Sequence, residues 1–284
     1  MAAVDGPHTV GQVVTVHGRI ENGMRVVVPV KYVPEPTATW KFRDDLTLDR
    51  DAVEGRLSEL DEYAVEQATR LLEADAVISV TALTVGPPRA LDGLRKALAM
   101  GAQAGVHVVD EAMHGSDALA TSRVIARAVE QLGFDLVVCG MSSTDAEMSV
   151  VPAMVAERLG VPHLTFAAAL SVEPGTGLVT IRRDGDLGSA QIAAPAPLVV
   201  SVTDQSGEPR YPAFKAIMGA KKKPVATWSL KDLDVDESEV GAGAARTQVI
   251  SLAVTPPRQA GTVVVDDGGA AVQLADFLSS HGFA

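Results

Sequence analysis

The sequence predicts an α/β fold of Rossmann-like type: a mostly parallel sheet with helices on both faces, followed by a C-terminal arm. Three observations carry this. From Met24 onward, short β-branched runs alternate with segments of helical periodicity. Hydrophobic residues make up 47% of the 284 residues but aromatics only 4%, so the core is aliphatic, as buried parallel strands require. Glycines stand where the periodic segments stop, the usual way to end a helix.

The elements follow in order. Arg25–Val30 is a β-branched run and reads as the first strand. Asp61–Glu73 places Tyr63, Ala64, Ala68, Leu71 and Leu72 at helical spacing. Ala76–Thr84 is a second strand, and Arg89–Met100 a helix entered from Pro87-Pro88 and closed by Gly101. Val106–Val109 is strand-like, and Ser116 opens a helix through Glu130, with Asp117 adding negative charge to its first turn. Phe134–Cys139 is the next buried strand, and Val151–Leu159 a helix closed by Gly160. After Pro162 the rhythm changes: His163–Val172, Gly177–Arg183 and Ala190–Ala194 read as antiparallel additions, and Leu198–Thr203 as one more buried strand. Beyond Asp204 come a loop, a strand near Val225–Leu230, an acidic stretch with few anchors and a terminal helix at 271–280. The expected organisation is an extension at 1–23, with Met24 as the natural opening, an α/β domain at 24–203 and an arm at 204–284 that packs on another chain.

The net charge of −12 and pI near 4.9 argue against nucleic acid and against an anionic membrane surface, both of which need a basic face. The single Cys139 excludes a disulfide framework within the chain and fits a reducing cytoplasm. No run of eighteen apolar residues occurs.

In an open parallel sheet, ligands bind beyond the carboxyl ends of the strands. Candidate segments are therefore Pro29 onward, Val85-Gly86 and the loop from Gly140 to Ser149. That loop offers a glycine for close approach, several hydroxyls and a following helix whose amides suit a phosphate. Its Ser and Thr residues serve equally as helix caps. Neither G-x-G-x-x-G after the first strand nor G-x-x-x-x-G-K-[ST] occurs, and the six histidines show no metal-ligand spacing. No acid, base and nucleophile set stands out, so the chain reads as non-catalytic.

Five stretches together resemble the β subunit of electron transfer flavoprotein: VVVPVKYVPEP, LSELDEYAVEQA, VGPPRALDGLRKALAMGA, DLVVCGMSSTDAEMSVVPAMVAERLGVPHLT and EPRYPAFKAIMGAKKKPV. The resemblance runs from Met24 to the C-terminus. It implies a heterodimer whose α subunit holds most of the FAD, while this chain holds AMP as a structural ligand. It further implies electrons arriving from dehydrogenases such as acyl-CoA dehydrogenase and leaving to electron transfer flavoprotein:quinone oxidoreductase. By position, the AMP pocket is implied at Pro29, Ser58, Glu59, Leu60, Asp61, Val85, Gly140, Met141, Ser142, Ser143, Thr144, Asp145, Met148 and Ser149, with Leu60 near the flavin ring. Tyr211, Phe214, Ile217 and Met218 match the partner-recognition loop, with Phe214 as its anchor and Lys221–Lys223 solvated beside it.

Departures from the family pattern bear on the ligand. Ser58-Glu59 stands where Asn-Pro is common, and Met148 and Ser149 stand near where Thr-Gly is expected. Loss of a hydroxyl and the added charge of Glu147 imply weaker AMP binding or an empty site. Two alternatives stay open: a second FAD in that pocket, as in relatives that split electron pairs, or a free-standing nucleotide-binding module of the universal-stress type.

Overall fold

The computed structural model describes residues 23–253, 255–256 and 261–283. The expected extension therefore lies outside the described residues except for Gly23. The described chain divides into two compact units at Gln248/Val249.

The first unit is built on β1 (Arg25–Pro29), β2 (Tyr32–Pro34), β3 (Gly55–Leu57), α1 (Glu59–Glu73), β4 (Ser79–Val85), α2 (Ala90–Met100) and β5 (Ala104–Val108). It continues with α3 (Ala118–Leu132), β6 (Leu136–Gly140), α4 (Val151–Leu159), β7 (His163–Ala167), β8 (Ala169–Val172), β9 (Leu178–Gly185), β10 (Gly188–Pro195) and β11 (Leu198–Val202). The last elements are α5 (Phe214–Ala220), β12 (Val225–Trp228) and the short α6 (Gly241–Ala244).

Seven strands form one sheet in the order β12-β5-β4-β1-β6-β11-β7, every pair parallel. Right-handed crossovers put helices on both faces. One face buries Ala64, Val65 and Ala68 of α1 with Leu94 and Leu98 of α2 against Val26, Val28 and Val138. The other buries Val124 and Val129 of α3 with Val155 of α4 against Val27, Val137 and Val199. Cys139 lies in this second core. Burial, followed by the charge of nearby Asp61, pushes its thiol pKa upward and keeps it protonated. The α3 helix opens one residue later than the sequence indicates: Asp117 is the cap, accepting from the Ala120 amide at 3.0 Å.

Two expectations need correction. His163–Ala167 is parallel to β11 and closes one edge of the main sheet; only β8, β9 and β10 form the antiparallel addition. A short apolar run fixes strand character without direction, and direction is set by α4, which carries the chain back before β7 begins. Likewise, the acidic stretch from Asp232 to Val240 is not loosely anchored, whereas the strand expected at Val225–Leu230 is present as β12. β12 pairs with β5 along four residues, and Leu230, Leu233, Val235 and Val240 are buried in the second core. The acidic residues between them stay at the surface while each apolar residue turns inward.

The second unit contains α7 (Ala270–Ser280), which buries none of its own residues and leaves Val272, Leu274 and Phe277 exposed.

If the segment after β12 belongs to the core, Leu233→Ala lowers the unfolding free energy by about 2–4 kcal/mol. Urea titration of the purified protein measures this, and a change within about 0.5 kcal/mol assigns residues 231–240 to the surface instead.

Candidate functional site

β1 is central: β4 and β5 extend the sheet on one side, then the chain returns through α3 to β6 on the other, and the crevice beyond the carboxyl ends of β1 and β6 is the topological switch point. Three segments converge there: the turn after β1, the first turn of α1 and the loop after β6.

Gly140 ends β6 and its backbone presses on α1. A Cβ there would lie 2.7 Å from the Leu60 carbonyl oxygen and 2.5 Å from Asp61 Oδ1, so only glycine fits. Asp61 is buried and accepts from the Lys31 amide at 2.8 Å. Burial pushes its carboxyl up to about 7; the Lys31 amide and ammonium oppose the shift, and the Asp145 charge adds to it.

Asp145 is handled differently. Its side chain is 2% exposed and lies between two cations, Lys31 Nζ at 2.7 Å and the Arg50 guanidinium. Burial disfavours its charge, but Lys31 and Arg50 outweigh that and hold the carboxyl below the usual range. Lys31 Nζ also donates to Ser143 Oγ at 3.3 Å, and the Thr144 amide donates to buried Ser58 Oγ at 3.4 Å. The loop is thus tied to β1 and to the start of α1.

Among the predicted site residues, Ser58, Leu60, Asp61, Gly140, Ser143, Thr144 and Asp145 come together by these contacts. Pro29 and Val85 close adjoining strands at the same end of the sheet. The Glu59 carboxylate pairs instead with Arg56 at 3.0 Å. Met141 continues β6, its amide bonded to the Val202 carbonyl at 2.9 Å. Met148 is exposed between Glu147 and Ser149, which have φ of 49° and 56°. Left-handed backbone at two non-glycine residues stores strain in this turn.

The hydroxyls of Ser142 and Thr144 are buried without a partner, as is that of Thr84 on β4. Unpartnered hydroxyls at a switch point suit the polar groups of a nucleotide. α4 begins close by at Val151 with no side-chain cap, leaving amides of its first turn free. Lys31 and Arg50 escape sequence reasoning: Lys31 directly follows the first strand, a usable signal, whereas Arg50 arrives from a surface excursion that no periodicity marks.

The segment after β11 is bolted down at both ends. Arg210 binds Glu66 through Nε at 2.7 Å and Glu73 through Nη2 at 2.9 Å, and Glu66, 3% exposed, also accepts from Arg70 at 2.6 Å. Arg70 and Gln67 reach the carbonyls of Glu208 and Ser206. At the far end Arg95 holds the Ala220 carbonyl at 2.9 Å.

Lys223 is not solvated. Its ammonium donates to the carbonyls of Leu98 at 2.7 Å and Ala102 at 2.6 Å, capping the end of α2, and burial lowers its pKa. Its aliphatic stem reaches back over α2, where the unpaired carbonyls are a better partner than water. Lys221 and Lys222 are exposed. Between the bolts, Tyr211 is 87% and Phe214 77% exposed, with Ile217 and Met218 also outward.

A profile of the electron transfer flavoprotein domain matches residues 45–233. The chain is 42% identical over 259 residues to the electron transfer flavoprotein subunit beta of Mycobacterium leprae, covering 89% of this chain and 97% of that one. It is 30% identical over 249 residues to the subunit beta of Megasphaera elsdenii, covering 85% and 91%. The chain belongs to the electron transfer flavoprotein β-subunit family. Membership replaces the universal-stress alternative. Among the described residues no helix is long and apolar enough to cross a membrane.

Asp61 gives the site a pH signature. Its folded pKa lies above the unfolded value of 3.8, so the folded chain binds more protons between about 4 and 7 and this group's contribution to stability is lost as pH rises through that window. In Asp61→Asn that component is gone. Denaturant midpoints measured from pH 4.5 to 7.5 are expected to fall less steeply in the variant than in wild type, and parallel slopes would place the Asp61 proton elsewhere.

Proposed function

We propose that this chain is the β subunit of a heterodimeric electron transfer flavoprotein that holds AMP at the switch-point crevice and presents Phe214 to flavin dehydrogenases of the acyl-CoA dehydrogenase type. The carrying observation is the exposed Phe214 ring on a segment fastened at both ends. Phe214, Ile217 and Met218 fall at i, i+3 and i+4 and so share one face of α5. Burying a Phe side chain contributes about 2–3 kcal/mol, the size of an interface anchor. Lys221 and Lys222 stand beside it to attract an acidic donor.

Bound largely by an α subunit, FAD supplies the redox chemistry. This chain's residues position and support it. Ser142, Thr144 and the open first turn of α4 would hold the nucleotide, Asp145 with Lys31 and Arg50 fixes the loop that carries them, and Leu60 would contribute apolar surface to the flavin side. Electrons then pass to an acceptor of the quinone-reductase type. The chain itself makes and breaks no bonds.

Two measurements test this. In the assembled heterodimer, Phe214→Ala is expected to lower kcat/KM for flavin reduction by an acyl-CoA dehydrogenase at least about tenfold with FAD content unchanged; equal rates would remove the docking role. Acid extraction is expected to release one AMP and one FAD per heterodimer. Two FAD and no AMP would assign the crevice to a second flavin, as in the electron-splitting relatives.

A further inference from the structure

We propose that Met218 is a peroxide-sensitive modification site whose oxidation weakens docking at the recognition face. The inference rests on the docking role given to Phe214 and adds a control on it.

Among the described residues the methionines span the full range of exposure, with Met113, Met141 and Met154 half-buried. Met24 and Met100 are sealed in the core at 3% and 1% exposure, while Met218 is 47% exposed and Met148 50%. Of the two thioethers exposed among the described residues, Met218 is the one on the apolar face of α5, one turn after Phe214 and next to Ile217. A thioether suits that position because its flexible, polarizable chain adapts to partners of differing shape. The same sulfur is readily oxidised. A hydroperoxide transfers its terminal oxygen to Sδ: the O–O bond breaks, a sulfur–oxygen bond forms, sulfur loses two electrons, and the peroxide leaves as water or an alcohol. Hydrogen peroxide is the product of reduced flavin with dioxygen, so an electron carrier of this kind is exposed to the oxidant it would sense.

The fastening of the segment makes the change consequential. A free loop would turn a new polar group to solvent and offer another apolar side chain instead. Here Arg210 is paired with Glu66 and Glu73, and Ala220 and Lys223 are bonded to α2, so both ends of α5's segment are held in one orientation. The sulfoxide therefore stays within the face that a partner must dehydrate, where an unmatched polar group is costly.

The test uses the assembled heterodimer treated with dilute hydrogen peroxide, followed by peptide mass mapping and steady-state reduction by an acyl-CoA dehydrogenase. Met218 and Met148 should each gain one oxygen. For wild type and Met148→Leu, peroxide should raise the KM for the dehydrogenase about three- to tenfold with kcat little changed, and methionine sulfoxide reductase should reverse it. Met218→Leu, which keeps the volume, should show the same KM before and after peroxide, judged against its own untreated value. The proposal is overturned if Met218 gains no oxygen while Met148 does, or if peroxide raises KM equally in Met218→Leu. Phe214→Ala separates the two levels: if it leaves KM unchanged the docking reading itself fails, whereas a raised KM with a peroxide-sensitive Met218→Leu removes only the role of Met218.

Discussion

Helix α1 must keep two carboxylates out of water, and the manner in which each is satisfied fixes both ends of the molecule's working surface. Asp61 sits at the first turn, under the backbone of Gly140, where no cation touches its oxygens directly; an amide and a raised pKa accommodate it. Glu66 lies a turn and a half further on and is matched by two guanidinium groups, Arg70 and Arg210. A buried carboxylate left unpaired would be strongly destabilising, so neither contact is optional. The first ties the turn after β1 to α1, the second ties the segment after β11 to the same helix. Crevice and recognition face are therefore mounted on one rigid element.

The sheet makes that mounting possible. β1 and β6 are buried on both sides and run parallel, so their carboxyl ends open at a common level, and α1 packs over them on one face. The excursion between β2 and β3 then lies across the same end, and Arg89 holds it by the carbonyls of Arg50, Asp51 and Val53 at 3.3–3.4 Å. This brings the Arg50 guanidinium to Asp145. A cation delivered from the surface neutralises a carboxylate that the loop has already buried, so the loop and the excursion hold each other in place.

Much of this was legible in the sequence. The alternation of β-branched and periodic segments sets the order of strands and helices, because buried parallel strands and amphipathic helices have different periods. The loop GMSSTDAEMS announces itself by position, after a buried strand and before a helix. What periodicity does not carry is direction and long-range pairing. Nothing local in HLTFA says that it runs parallel to Leu198–Val202, and nothing in an acidic stretch says that Leu233 and Val240 turn inward. The three lysines after α5 look alike in sequence; only the unpaired carbonyls at the end of α2 single out Lys223. Partners such as Lys31 with Asp145, separated by 114 residues, are set by topology.

The charge pattern gives a reason for the two kinds of lysine. On a chain of net charge −12, the proposed docking of an acidic partner would meet long-range repulsion, which local positive charge beside the face would offset. Under that proposal the exposed Lys221 and Lys222 would supply it. Had Lys223 joined them in solvent, the tie of this segment to α2 would rest on Arg95 alone among these contacts. Dividing the run of three between anchorage and steering keeps the apolar face pre-organised, so a partner that buries it spends little binding energy on ordering the segment. A short segment with one exposed ring then suffices where a flexible loop would need a larger interface.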